Sequence, residues 1–369
     1  MDTDSNHAII LGAAGLLGWS VVNQLLSSYP SAGSFSKVTA AINRPVSEPD
    51  LYLPKASPGQ PGFQVVSGVD LLQGTGDDLA RQLKDKVPGA EKITHVFYFG
   101  MGSLCLYSGL RLGYGYGIYA LGGTFKAPLE ESLADQLPEG YAYPDCAYPR
   151  FRKILTKASH GRDWTWTEVC PDAVIGFSPN GSGFSLALHW AQYLSLYAYN
   201  HGIRANSEHR VEVPFPGCEE ALDGKFSSVS GRILGRISIH AALNPDTCGG
   251  KVINMADNEQ PTTIRHVWPA VASWFGLVGV GPSDDASALK PGAYVAKYKH
   301  VFEENGRHRA LTCGVGAGSA QLDGVGWWLT FDRQLSLDRL RALGFREQRD
   351  PVEGWMEAFE QFKDAGIIL

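Results

Sequence analysis

The chain has no Cys-x-x-Cys pair; its six cysteines stand apart at positions 105, 146, 170, 218, 248 and 313. This spacing argues against a compact zinc knuckle or a thioredoxin-like redox pair, and reads as free thiols in an unsecreted chain. Its ten histidines include neither His-x-x-x-His nor His-Glu-x-x-His, so local spacing gives no metal site and none is expected. Positive charge is scarce. Thirty-two Lys and Arg stand against thirty-eight Asp and Glu, a formal net charge of −6, and no basic face points to nucleic acid. No apolar run is long enough to span a bilayer, so no membrane association is expected. The opening "MDTDSNHAIILG" is acidic and runs at once into a strand-like stretch. It lacks the basic start and longer apolar region of a signal peptide, and a cytoplasmic location is the expectation.

What is present is ordinary for a globular protein. The 369 residues are 44% hydrophobic and 19% charged, enough for one large or two medium domains. The first half alternates short apolar runs with helical patterns. "AIIL" (8–11), "KVTAAI" (37–42), "FQVVSGVDL" (63–71) and "ITHVFYF" (93–99) read as strands. Leu17, Val21, Leu25 and Leu26 mark one face of a helix after the first, and "LARQLKDKV" (79–87) is a helix between the third and fourth. This order predicts an α/β fold with a Rossmann-like parallel sheet covered on both faces. "WTWTEVC" (164–170) reads as a later strand, and the proline-rich 45–62 as a surface loop. From about residue 180 the pattern turns helical and aromatic, with "GFSLALHWAQYLSLYAYNHG" the longest stretch. The expected division is a cofactor domain over 1–179 and a mostly helical, substrate-capping region over 180–369, with 251–257 as a strand that can return to the sheet. Helices are expected around 336–343 and 351–366, and the glycine-rich 314–326 reads as a loop.

"GAAGLLG" places Gly12, Gly15 and Gly18 directly after the first strand and at the start of a helix. Gly12 suits a tight turn, Gly15 a close backbone approach to a pyrophosphate, and Gly18 close packing of helix on sheet. The first helical amides, at Leu16 and Leu17, would meet the phosphates. At the end of the second strand stand Asn43 and Arg44. A carboxylate there would bind the ribose 2′-hydroxyl of NAD; an amide and a guanidinium suit a 2′-phosphate and favour NADP(H), unless Arg44 is a solvated loop residue. Asp70 and Leu71, closing the third strand, would flank the adenine or simply end a strand.

The glycine turn, "THVFYFG" (94–100), "WTWTEVCPDAVIGFSPNGSG" (164–183) and "GWWLTFDRQLSLDRLRALGF" (326–345) resemble the progesterone 5β-reductase and iridoid synthase-like (PRISE) branch of the extended short-chain dehydrogenase/reductases, fungal members above all. The similarity runs over nearly the whole chain. It implies a reductase of activated C=C bonds in enones and enals, or of carbonyls, acting with NADPH in small-molecule secondary metabolism. It also implies a small hydrophobic carbonyl-containing substrate. By the same resemblance Gly100 closes the fourth strand at the cofactor, and Pro171, Val174, Ile175 and Ser178 line its nicotinamide and phosphate side. A homodimer is compatible with this reading.

The departures from the family are specific. Its strand-turn segment Leu-Gln-Thr-Gly-x-Lys-x-Tyr-Gly corresponds to "LYSGLRLGYGYGIY" (106–119), which has no lysine. Arg111 is the nearest cation, and a guanidinium is not a neutral replacement for an ammonium. In "CAYPRFRKIL" only Tyr148 of the family's tyrosine motif survives, with Arg152 four places on and Lys153 five. Tyr148 is either the catalytic acid, with Arg111 beside it, or a helix-start aromatic facing solvent. Only about four residues separate "ITHVFYF" from "LCLYS" (104–108), whereas parallel neighbours need a crossover of roughly ten or more. A βα crossover is therefore read as missing near 100–104. Two functions follow: the NADPH-dependent reductase with Tyr148 polarising the carbonyl, and a non-redox isomerase or cyclase that preorganises its substrate on the same fold.

Overall fold

The first apolar run forms strand β1, His7–Leu11, with all five residues buried. A strand covered on both faces needs no polar alternation, which is why this run reads as continuous. In the computed structural model, which describes residues 6–55, 57–71, 73–99, 126–135, 147–203, 210–285, 288–313 and 319–369, three further strands join it in parallel. β2 is Lys37–Ile42, β3 is Gly62–Ser67 and β4 is His95–Tyr98. The order β3-β2-β1-β4 is that of one half of a doubly wound Rossmann sheet. Register is continuous, with Leu11 beside both Ala41 and Tyr98.

Helix α1 (Leu16–Leu26) follows β1, and α2 (Gly76–Lys86) follows β3. α2 begins three residues before the expected 79 because Thr75 and Asp78 form a capping box: the Thr75 hydroxyl accepts from Asp78 N, and the Asp78 carboxylate accepts from Thr75 N at 2.8 Å. Beneath this helix Ile9, Leu11, Ala41, Val66, Val69 and Val87 form a buried cluster, with Leu71, Leu79 and Leu83 packed on it. Helix Gly231–Leu243 lies against α1. A Cβ on Gly235 would stand 2.6 Å from Ser20 O, so glycine lets the two backbones approach. Helix α3 (Ala147–Ser159) leads to β5 (Thr167–Pro171), which pairs with the strand Lys251–Met255.

The chain divides into two compact units. One comprises Met1–Leu112, Tyr143–Val169 and Gly231–Ile253; the other Gly113–Ala142, Cys170–Ser230 and Asn254–Leu369. The second unit has strand pairs of its own, Ala173–Ile175 with Ser228–Ser230 and Val211–Phe215 with Leu277–Pro282, both parallel. Its core is aromatic. Trp190, on helix Leu186–Asn200, stacks on Trp355 at 5.1 Å and meets Trp268 edge-on at 5.2 Å. The expected C-terminal helix spans Pro351–Asp364, capped by Asp350.

One expectation is corrected. The glycine-rich 314–326 does not read through as a loop, since Ser319–Trp328 is helical. Gly326 serves contact rather than flexibility: a Cβ there would overlap Pro216 O and stand 2.8 Å from Gly217 Cα. No helix among the described residues is long and apolar enough to cross a membrane.

Candidate functional site

The turn after β1 is built from its glycines. Gly12 has φ 83°, the left-handed region that glycine enters without strain. Its amide and that of Ala13 both donate to Ala41 O, at 3.1 and 3.4 Å, which ties the turn to the end of β2. Gly15 N donates to Gly12 O at 2.9 Å, and Trp19 N to Gly15 O at 2.8 Å, so the turn closes and the helix starts within four residues. A Cβ on Gly18 would overlap Gly12 O and lie 2.8 Å from Gly12 C; one on Gly15 would reach Gly12 O only at 3.3 Å. Gly18 is therefore required by packing. Gly15, exposed at the N-cap of α1, leaves the backbone bare on its outer side.

No side chain caps α1, and no acidic residue stands in its first turn. The amides that open a helix have no intrahelical acceptor and carry the positive end of its dipole. Leu16 is buried and Leu17 half-buried, so their backbones rather than their side chains would face a ligand. The donors suit a pyrophosphate, and the residues present fit the dinucleotide expected from the sequence.

The neighbouring strand ends complete this edge. Asn43 and Arg44 follow β2 directly and are both exposed. Gly68 N donates to Asn43 O at 3.1 Å and Val69 N to Ile42 O at 3.3 Å, which carries Asp70 and Leu71 to the same end of the sheet. Both are half-buried, and Leu71 packs on the cluster under α2, so its side chain is a core contact. The first unit thus brings together Gly12, Gly15, Leu16, Leu17, Gly18, Asn43, Arg44, Asp70 and Leu71 at the carboxyl ends of its parallel strands, where open α/β sheets bind ligands.

Pro171 ends β5, and Val174, Ile175 and Ser178 belong to the second unit. Val174 pairs with Val229 and Ile175 with Ser230. Ile175 and Ser178 are buried, and Ser178 Oγ donates to Gly181 O at 3.1 Å. The segment is pinned by Asp172, which accepts from Ser227 N at 3.0 Å and from Arg333 Nε at 3.2 Å in a buried ion pair. Its shape is thereby set before any ligand arrives.

Gly100 and Arg111 lie outside the described residues. The backbone of Tyr148 is the second position of α3; its side chain lies outside the description. Arg152, one turn on, has a defined role. Its Nε donates to Glu168 Oε2 at 2.8 Å and its Nη2 to Oε1 at 3.1 Å, with side chains 11% and 16% exposed. The place of the lysine in Tyr-x-x-x-Lys is thus held by an arginine paired with Glu168. Nothing local in the sequence announces this pair, whose partners sit on different elements sixteen residues apart.

Comparison with known proteins bears on the whole chain. A family model described as a PRISE-like Rossmann-fold domain matches residues 8–103 and 107–369. The short chain dehydrogenase SirS of Leptosphaeria maculans is 30% identical over 422 aligned positions, covering 99% of this chain and 98% of the relative. The short chain dehydrogenase AusT of Aspergillus calidoustus is 26% identical, with 100% of this chain and 95% of the relative covered. Among solved structures, the epimerase Mth375 of Methanothermobacter thermautotrophicus superposes with a TM-score of 0.60 at 13% identity, covering 98% of this chain and 93% of that one. WbmF of Bordetella bronchiseptica, solved with NAD+ and UDP, gives 0.55 at 13%, with 98% and 93% covered. The structural likenesses show the fold alone.

Proposed function

The chain belongs to the PRISE-like Rossmann-fold family of short-chain dehydrogenases, and from that premise we propose that it is an NADPH-dependent reductase of an activated C=C bond or a carbonyl in a small hydrophobic molecule. The observation that carries this reading is the uncapped α1 N-terminus with Asn43 and Arg44, rather than a carboxylate, directly after β2 and exposed. Bound NADPH would supply the hydride. The chain's own part is to hold the pyrophosphate on the α1 amides, to meet the 2′-phosphate with Arg44, and to polarise the substrate carbonyl with Tyr148 as a neutral hydrogen-bond donor. Arg44→Ala tests the first half. By fluorescence titration it should weaken NADPH binding about tenfold or more, the scale of one charge-assisted contact, and leave NADH binding nearly unchanged. Equal losses for both nucleotides would remove the 2′-phosphate role.

The second reading, a non-redox isomerase or cyclase, is favoured by two observations. Arg152 is engaged by Glu168, and the family match breaks at 104–106, where a crossover is read as missing. Alignment with SirS over 422 positions, against 369 residues here, leaves at least 53 positions with no residue in this chain. Absorbance at 340 nm separates the readings: NADPH that binds but is never consumed across enones, enals and ketones points to the second. Under either reading Tyr148→Phe should lower turnover about 10²-fold, the usual scale for a positioned acid or oxyanion donor. Unchanged turnover would make Tyr148 a relic.

A further inference from the structure

In the second unit His189 Nε2 and Asp323 Oδ1 lie 2.9 Å apart, with side chains 7% and 12% exposed. His189 stands in the first turns of helix Leu186–Asn200, and Asp323 in helix Ser319–Trp328, 134 residues further on. The same Oδ1 accepts from Gly292 N at 2.7 Å, in the first turn of helix Pro291–Tyr298. A carboxylate has no proton to give, so the imidazole is the donor and its proton sits on Nε2. The lone pair is then on Nδ1. That atom has no hydrogen-bond partner among the described residues, and it is not among the side-chain nitrogens and oxygens sealed from solvent without a partner. It is the ring atom left to meet solvent or a ligand.

Large apolar side chains stand on the elements that carry the pair. Phe184 precedes the N-cap Ser185, and its N′ position neighbours that of His189 at N4. Trp327 stands one turn after Asp323 on the same helix face, with Lys290 Nζ 4.4 Å from its ring centroid. Leu289 adjoins Lys290. Phe184, Leu289 and Trp327 are 44%, 42% and 41% exposed, large apolar side chains left in water. An apolar surface around one oriented polar group is the ordinary composition of a small-molecule site.

We propose that His189 and Asp323 form an acid–base pair at a ligand site of the second unit, one that takes a flat hydrophobic molecule bearing a hydroxyl or an activated C–H beside a carbonyl. Asp323 fixes the tautomer and stabilises the imidazolium, and Nδ1 takes the ligand's proton and can return it to another atom of the same molecule. The transfer is a proton out and a proton back, with no net oxidation. The proposal rests on the reading that the second unit holds the substrate.

The test needs no nicotinamide, so its failure is distinct from failure of cofactor binding. Diethyl pyrocarbonate acylates the accessible lone pair of neutral imidazole, and mass spectrometry of the full chain gives a rate for each histidine. His189 should react measurably, though more slowly than the exposed His160 and His266. Asp323→Asn should slow it about threefold or more, as expected when a histidine loses its orienting charge, and leave His160 unchanged. In the wild-type protein, saturating 2-naphthol should protect His189 and not His160, while naphthalene protects less. An inert His189, or one that 2-naphthol leaves unprotected, overturns the proposal; both readouts use the unmodified sequence.

Discussion

Gly15 and Gly18 are three residues apart in one turn and answer to different forces, which makes them separable by experiment. A Cβ on Gly18 collides with the Gly12 backbone, and no side chain can move to relieve it. Gly18→Ala should cost about 3 kcal/mol in urea denaturation, since helix and strand must part. At Gly15 the nearest atom would be 3.3 Å away, so Gly15→Ala should change stability by less than about 1 kcal/mol. It should still weaken NADPH binding at least about tenfold, because a methyl group would stand where the phosphates approach. If both variants lose stability equally and neither loses affinity, the turn is a packing device only. These residues were legible in the sequence because a positive φ, a close approach and a helix start are all decided within seven residues. Side-chain partnerships such as Arg152 with Glu168 were not, because they depend on which elements the fold brings side by side.

At the scale of elements, α3 and β5 are held by that pair. Two largely buried charges are stable together and expensive apart. Arg152→Ala should therefore destabilise the first unit by about 3 kcal/mol, while the double change Arg152→Met with Glu168→Leu should come within about 1 kcal/mol of wild type. A double variant as unstable as Arg152→Ala would show that the pair is not coupled. The same reasoning explains the misread glycine stretch. Gly326 is a helix residue because Pro216 and Gly217 pass against it, and no window around 326 contains that information. Strands β1 and β2 and helix α1 were readable because each carries its own periodicity or stop. The short strand Ala173–Ile175 was not readable as a strand, since three residues have no period.

Across the whole molecule the buried titratable groups pull stability in opposite directions. Asp257, fully buried in the second unit, accepts from Ser230 N at 2.8 Å and Ser230 Oγ at 2.6 Å through Oδ1, while its Oδ2 has no partner. Burial pushes its carboxyl up to about 7; the Ser230 bonds and Arg349 oppose that shift, and Glu357 reinforces it. Between about pH 4, the ordinary carboxylate range, and pH 7 the unfolded chain has released this proton and the folded chain keeps it. Stability from this group therefore falls as pH rises through that window and levels off above it. His7 and His95 in the first unit act the other way. Burial lowers both below 6.5, with Lys37 adding to the effect on His7, so the unfolded chain takes up their protons first and stability falls as pH drops below 6.5. The two effects oppose each other in acid, and one substitution can separate them. Asp257→Asn keeps a neutral side chain of the same shape at every pH. Urea midpoints measured from pH 8 to pH 5 should show wild type gaining steadily on this variant as pH falls, since both keep the histidine-driven loss and only wild type has the Asp257 gain. A gap that stays constant, or widens in the variant's favour toward pH 5, would mean that Asp257 is ionised in the folded protein throughout the range.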